Sequence, residues 1–442
     1  MEETKMKLLK TKRGVYILSI VTILVATLIV TGCWIKNIVT PYFTQTTNYY
    51  CGAASAQMIL ASAKIHINVN QPTLYSYIHS HNQCGGWATD PKGLKDVLNN
   101  YYPAGHFIAF TPTNQEDGVK KLAYTIYQYG VPPAALIYGC QHWVVVRGVA
   151  TNVQPSNTGS YTIFGFWVND PWYGANSLGE NKYIAISSWK NDYFTGCAWC
   201  GAAGTTYISV VDPEPVPKIT LKFAALKPRR ANPITAEEAR KFADEYLNSF
   251  KSQSSFRESF PDAFKKINDI KIETPLYVRR SDRTGDGYFI IPMQLKNLTT
   301  GAMILSGYSG ELNEVSFLKK PIVYLPKFQT EPAIKLFHKN VQNISITREL
   351  LTPIPQARIK RVDTIHTPLI RAVKAKELKI EKLEMVWEPS EQTQNPYYPL
   401  WEVSGTVKEM KSAGPVAFMD MEGKVFHAIS KAPLKGGTTK AY

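Results

Sequence analysis

Residues 41–60 read PYFTQTTNYYCGAASAQMIL, and the fold turns on how this stretch is read. From Cys51 onward the pattern is helical. The small residues Gly52, Ala53, Ala54, Ser55 and Ala56 lead into Met58, Ile59 and Leu60. A cysteine on the first turn of a helix meets the positive end of the macrodipole and backbone N–H groups without helical partners. Both favour thiolate, the attacking form of a cysteine. The small residues behind it let a second element pack close. Gln45, six residues upstream, is placed to fold its amide back beside the cysteine and donate to a developing oxyanion. Without a base downstream such a cysteine would be an ordinary core residue.

A base is present in residues 131–150, VPPAALIYGCQHWVVVRGVA. An apolar strand over 134–138 leads through Gly139 to His142, which opens a second strand over 143–149. Residues 161–173, YTIFGFWVNDPWY, then place Asp170 at the end of another strand. From a neighbouring strand its carboxylate would bond the far nitrogen of His142, fixing the tautomer and stabilising the imidazolium. Asn169 is the alternative orienter. The chain order Cys51, His142, Asp170, with spacings of 91 and 28 residues, is the informative part.

These segments together resemble the papain-like cysteine peptidases related to the bacteriocin double-glycine leader peptidases, over about residues 40–212. The resemblance rests on Pro41-Tyr42-Phe43-Thr44-Gln45, Tyr50-Cys51-Gly52-Ala53-Ala54 with Met58 and Leu60, and Thr89-Asp90-Pro91-Lys92-Gly93-Leu94 running into Val97-Leu98-Asn99. His142-Trp143-Val144-Val145-Val146 and Val168-Asn169-Asp170-Pro171-Trp172 complete it. It implies an α+β papain-like domain with Cys51 as nucleophile, His142 as base and Asp170 as its orienter. Gln45 and the backbone N–H of Cys51 would form the oxyanion hole. The implied activity is hydrolysis of peptide bonds in a peptide or protein substrate, with no cofactor. Two alternatives share the fold: a catalytically silent module that binds a peptide or cell-wall stem, and an amidase or acyl transferase using the same triad. The leader peptidases are usually fused to a transporter, and no repeated membrane-spanning pattern exists here. Tyr49, Tyr50, Trp87, Trp143, Trp172 and Tyr173 divide between a peptide groove and ordinary core.

The N-terminus adds a location. The cationic stretch 1–14 precedes an apolar run over 15–30, and then Val30-Thr31-Gly32-Cys33 resembles a lipobox with Cys33 as the lipidated residue. The alternative is an uncleaved anchor helix. Either way the expected location is the cell envelope, exported and held at the membrane. Oxidising surroundings permit disulfides among Cys84, Cys140, Cys197 and Cys200. The motif Cys197-Ala198-Trp199-Cys200 has no second CxxC or paired histidines to complete a zinc site, so no metal is expected. A small disulfide loop or unpaired core thiols are the readings of it.

The 442 residues carry a net charge of +15, unevenly spread. Residues 1–33 hold +3, residues 34–212 hold +1 with nine basic and eight acidic side chains, and residues 213–442 hold +11. A near-neutral catalytic stretch, without a basic aromatic groove or phosphate loop, excludes nucleic-acid binding as its business. Hydrophobic residues at 44% and charged residues at 19% exclude wholesale disorder and a multi-span membrane protein.

Residues 213–232 are a proline-spaced linker, followed by two α+β modules with antiparallel sheets over 233–330 and 331–442. In the first, Pro233-Ile234-Thr235-Ala236-Glu237-Glu238 reads as a capped helix start, and strands follow at 276–278, 288–293, 302–305 and 311–315. A similar plan recurs at 385–389, 397–403, 416–420 and 422–425, and the tandem resembles small PepSY-like modules of exported proteins. Asp282, Asp286 and Gly287 mark a hairpin tip rather than a calcium loop. The lysine-rich residues 362–386 read as a solvated helix face, and such a basic half next to a tether would lean on anionic lipid or wall polymers.

Overall fold

A hydrophobic strand with both faces buried sets the frame. In the computed structural model β3 (Ala134–Ile137) and β4 (His142–Thr151) form an antiparallel hairpin, and successive residues alternate between two cores. Ala134, Leu136, Trp143 and Val145 enter one, Ala135, Ile137, Val144 and Val146 the other. Period-two alternation sends neighbours to opposite faces, so a strand covered on both sides reads as the unbroken run WVVV. The structure describes residues 34–156, 159–172, 178–211, 222–223, 227–322, 330–340, 343–347, 370–374, 378–390, 392–393, 395–407, 410–411, 415, 417–426 and 428–429. The expected export segment 1–33 with Cys33, Tyr173 and most of the linker's first half therefore lie outside the described residues.

The first core is roofed by three helices, α1 (Cys51–Leu60), α2 (Gln71–His81) and α3 (Pro91–Tyr101). Each start has a local cause. Asn70 caps α2 through Thr73 N, and Asp90 caps α3 through Gly93 N with Pro91 at the first helical position. Helix α1 begins at Cys51 with no side-chain cap. Its small face is needed for packing: a Cβ on Gly52 would stand 2.3 Å from Thr89 Cγ2. Past β2 (Ile108–Phe110), helix α4 (Gln115–Tyr129) covers the opposite sheet face through Val119, Leu122 and Ile126.

The sheet continues far beyond this domain. Its other strands here are β1 (Trp34–Asn37), β5 (Thr162–Asn169), β6 (Lys182–Ala185) and β9 (Ser209–Val211), with β7 (Cys197–Trp199) and β8 (Ala202–Thr206) as a separate hairpin. After the two-residue β10 (Lys222–Phe223) comes α5 (Ala236–Ser252), started by a complete capping box between Thr235 and Glu238. Then β11 (Lys271–Ile272), β12 (Leu276–Arg280), β13 (Gly287–Leu295), β14 (Leu298–Ser306) and β15 (Leu312–Ile322) follow. Strand β15 pairs antiparallel with β6, setting Glu314 opposite Ile184 and Val315 opposite Tyr183. A single ladder therefore runs β2–β9–β3–β4–β5–β6–β15–β14–β13–β12 across the linker.

Why the two halves fuse is visible in the alternation of β13 and β14. Phe289, Ile291, Met293, Met303 and Leu305 face α5, whereas Tyr288, Ile290, Ala302 and Ile304 join the core that contains Tyr138, Trp189 and Tyr193. One helix covers one face of a four-stranded sheet. The other face needs another partner, and the peptidase-like part supplies it.

The second C-terminal segment contributes α6 (Thr330–Asn340), the isolated pair β16 (Asn343–Thr347) and β17 (Ile370–Lys374), then β18 (Leu378–Trp387), β19 (Leu400–Val407), β20 (Met410–Lys411), β21 (Ala417–Met419) and β22 (Val425–Phe426). Strand β18 runs parallel to β12 and brings Trp387 into the shared core, which Tyr397 joins from the segment before β19. Where it is described, at 370–374 and 378–386, the lysine-rich stretch is thus strand, not a helix face, and 362–369 and 375–377 lie outside the described residues. A bulge between Ile380 and Lys382 shifts the phase, so Leu378 and Ile380 alternate in one register and Leu383, Met385 and Trp387 in the next. The 281–287 segment is the β12–β13 turn, closed by Arg280 on Asp282 at 2.7 Å.

Trp387 is 2% exposed and lies against Tyr138, Tyr288 and the Arg280 guanidinium. Trp387→Ala is expected to cost about 3–5 kcal/mol of unfolding free energy in a denaturant titration. Amide exchange should accelerate in β3 and β4 as well as in β12 and β18. A loss confined to the C-terminal strands would show that the halves are energetically separate.

Candidate active site

Cys51 opens α1, is buried, and is the free cysteine among the described residues. Because Tyr50 supplies no side-chain cap, no side chain claims the first-turn N–H groups around the sulfur. Helix geometry leaves those donors without intrahelical partners, which suits them to an oxyanion.

His142 is fully buried at the first position of β4. The turn that delivers it is unusual: Tyr138, Gly139 and Cys140 all have φ between 55° and 68°. Two of these are non-glycine residues in the left-handed region, a conformation that surrounding structure must enforce. The enforcement is visible. Tyr138 N donates to Tyr193 O at 2.7 Å, Gly139 N donates to Thr195 Oγ1 at 2.9 Å, and Cys140 is bonded to Cys197. The second disulfide joins Cys84 to Cys200. The CxxC therefore forms no loop of its own. Its two sulfurs diverge, one to the turn before His142 and one to the loop before α3. Cys84, Asp90 and Cys200 cluster, but the two sulfurs are spent on each other and Asp90 accepts from the N–H of Cys84 at 2.7 Å.

Asp170 follows the last residue of β5 and is fully buried. Its Oδ1 lies 2.8 Å from His142 Nε2 and accepts from Trp172 N at 3.0 Å. Its Oδ2 lies 3.0 Å from Lys182 Nζ and 3.5 Å from Asn395 Nδ2. An ionised carboxylate only accepts, so Nε2 carries the proton of that bond. Nδ1 is left without a hydrogen bond of its own, and the Cys51 thiol is near enough to act on the ring. Trp172 stands edge-on to the imidazole at 6.2 Å between centroids.

The electrostatics follow from this arrangement. Burial opposes charge on His142, but the Asp170 carboxylate, hydrogen-bonded to it, overrides burial and Cys51 adds to the effect, so its pKa is raised to about 9. Burial likewise opposes charge on Asp170, yet Lys182, His142 and the Trp172 N–H hold it well below the usual carboxylate range. Asn169 is not the orienter. Its Oδ1 accepts from Asn181 N at 2.8 Å and its Nδ2 reaches Thr40 O. Gln45 is buried beside the segment, with its backbone N–H on Pro171 O at 2.7 Å. Its Nε2 donates to Thr47 O at 2.9 Å, which leaves one amide hydrogen for another acceptor. Of the aromatic residues, Trp87, Trp143 and Trp172 are buried, and Trp143 Nε1 donates to Thr89 O at 3.0 Å. Tyr49 and Tyr50 are more open and pack with Tyr75 of α2.

Residues 38–197 match the Peptidase_C39 like family. The matched span contains Cys51, His142 and Asp170 and amounts to just over a third of the chain, which therefore carries a cysteine peptidase-like domain. No curated protein matches the sequence. Among solved structures, the Bacillus megaterium YpeB C-terminal domain aligns at 12% identity over 72% of this chain and 97% of that one. Its TM-score of 0.16 is too low to bear on fold or function.

Three residues of the site had no signal in the sequence. Lys182 stands in NKYIAIS, Glu314 in ELNEVSF and Asn395 in TQNPYY, among other polar residues, and only the tertiary fold brings Lys182 and Asn395 to Asp170 and Glu314 to Lys182.

His142 should titrate at about 9 in the folded protein, against an ordinary value near 6.5. Since the folded value lies above the unfolded one, the protonated ring adds stability that is full below about 6.5 and is lost as pH rises through about 9. Asp170→Asn removes the main raising influence and leaves burial, so the midpoint should drop below the ordinary value. NMR of labelled histidine checks both. A wild-type midpoint at or below 6.5 would contradict the electrostatic account.

Proposed function

We propose that the protein is a cysteine peptidase in which Cys51, His142 and Asp170 act as nucleophile, base and orienter. The observation that supports this most is the His142 ring. One nitrogen is fixed on a buried carboxylate at 2.8 Å, the other is left without a hydrogen bond, and a free cysteine at a helix start acts on the same ring. In a structural role both nitrogens of a buried histidine would be satisfied.

In the proposed reaction the Cys51 proton passes to His142 Nδ1, giving a thiolate and an imidazolium. The thiolate attacks the carbonyl carbon of a peptide bond, and the displaced electron pair collects on the carbonyl oxygen. The first-turn N–H groups of α1 and the uncommitted hydrogen of Gln45 would receive that oxyanion. His142 then gives its proton to the leaving amine as the C–N bond breaks, leaving a thioester on Cys51. Water, deprotonated by the same ring, releases the acid and restores the thiol. Asp170 holds the ring in one tautomer throughout. The substrate in this reading is a peptide or protein segment.

Export and membrane tethering through Cys33 belong to the same proposal. Their support is the lipobox-like Val30-Thr31-Gly32-Cys33 and the two disulfides, which suit an oxidising compartment. Among the described residues no helix is long and apolar enough to cross a membrane. Mass spectrometry of the mature N-terminus is expected to find an acylated Cys33, and an intact Met1 would reject cleavage there.

The catalytic proposal is tested by alkylating the folded protein with iodoacetamide and mapping the modified peptide. Cys51 should react stoichiometrically at neutral pH, and His142→Ala should slow that reaction by about 100-fold or more, in line with loss of a paired base. Labelling of Cys51 that is indifferent to His142, or a Cys51 found in a disulfide, would remove the proposal.

A further inference from the structure

Behind the candidate triad lies a chain of buried charges that crosses the domain boundary. Lys182 is 0% exposed and its ammonium sits between two carboxyls, 3.0 Å from Asp170 Oδ2 and 3.6 Å from Glu314 Oε2. It also donates to Tyr193 OH at 3.2 Å, and that hydroxyl donates to Glu314 Oε1. Glu314 comes from β15 and is 2% exposed. Asn395, 0% exposed and from the second C-terminal segment, reaches the same Asp170 oxygen that Lys182 holds. Further out, Arg280 of β12 pairs with Asp192 at 3.3 Å.

The charge order explains why the C-terminal carboxylate matters. A lysine alone on Oδ2 would neutralise Asp170 and weaken it as counter-charge for His142 on Oδ1. With Glu314 on the far side, the ammonium is shared, and Asp170 remains effective toward the imidazole. Burial raises the Glu314 carboxyl above the ordinary carboxylate range, and the Lys182 charge and the Tyr193 hydroxyl oppose that rise. We infer that Glu314 and Asn395 of the C-terminal half are positioning residues of the Cys51–His142 pair, Glu314 by holding the charge of Lys182 away from Asp170 and Asn395 by fixing the shared oxygen. The inference rests on the peptidase reading. It also assigns the C-terminal half a part in the chemistry, acting through Lys182 and Asp170 and never touching substrate.

The test uses the full chain and the pH dependence of Cys51 alkylation by iodoacetamide, read on the Cys51 peptide. Its alkaline inflection reports loss of the His142 proton. Glu314→Gln should move that inflection down by about 1 pH unit or more, since the full Lys182 charge then falls on Asp170. Lys182→Met should move it up, and adding Glu314→Gln to Lys182→Met should change it little further, since no ammonium is then left for Glu314 to hold. An inflection unmoved by Glu314→Gln in a protein with an unchanged melting profile overturns the inference. If Glu314→Gln does not fold, the decision passes to the other two variants: an inflection unmoved by Lys182→Met, or a double variant lying a full pH unit below Lys182→Met, overturns it equally. Failure of the underlying reading looks different: wild-type and His142→Ala proteins would then share one profile.

Discussion

Two oxygens of one buried carboxylate hold this structure's chemistry together. Asp170 offers Oδ1 to His142 and Oδ2 to Lys182, with no water-exposed surface to screen either. Taking charges out of water is unfavourable unless each finds a counter-charge and its remaining hydrogen bonds. The surroundings satisfy that condition from all directions. Trp172 N–H and Asn395 reach the carboxylate oxygens, Tyr42 donates to the Asp170 carbonyl at 2.9 Å, and Asp170 N donates to Gly179 O at 2.8 Å. Withdrawing any one partner leaves a charge stranded, so the segment around 170–182 and the strand carrying Glu314 must come together as a unit.

That requirement explains the architecture at a larger scale. The face of β13 and β14 that α5 leaves open is covered by the aromatic residues beside the site, Tyr138, Trp189 and Tyr193. Tyr193 serves twice, packing its ring against Tyr138 and handing its hydroxyl to Glu314. Apolar burial and the polar network are thus built from the same side chains, and the β6–β15 ladder keeps them in register. The left-handed turn from Tyr138 to Cys140 belongs to this scheme too. It is held by Tyr193, Thr195 and Cys197, all from the segment immediately after β6.

Much of the peptidase-like half was legible because its signals are local. The helix starting at Cys51 announces itself by its run of small and apolar residues, and the strands around His142 and before Asp170 by short apolar runs. So did the capping box at Thr235. The illegible part was non-local. Nothing in the sequence states that Cys84 pairs with Cys200 rather than with Cys140, since connectivity depends on where the hairpin over 197–206 lands. The same holds for Asn395, 225 residues from Asp170, and for Glu314, which comes from beyond the linker, whereas Lys182 lies 12 residues on and reaches Asp170 from the neighbouring strand β6. The lysine-rich stretch 362–386 reads as a helix face for another reason: its lysines and glutamates interleave, and in the described part Lys379, Glu381 and Lys382 take the exposed positions of a strand instead.

The strand pairing between β6 and β15 has a consequence for how such proteins diversify. A catalytic unit whose sheet ends in an unpaired edge can be passed between chains and joined to whatever tail is at hand. Residues 34–211 are not of that kind. Any replacement tail would have to bring a strand in the register of Glu314 against Ile184, with a carboxylate at that one position and an apolar face on alternate ones. Recombination at the linker is therefore subject to the same packing demands as substitution in the core.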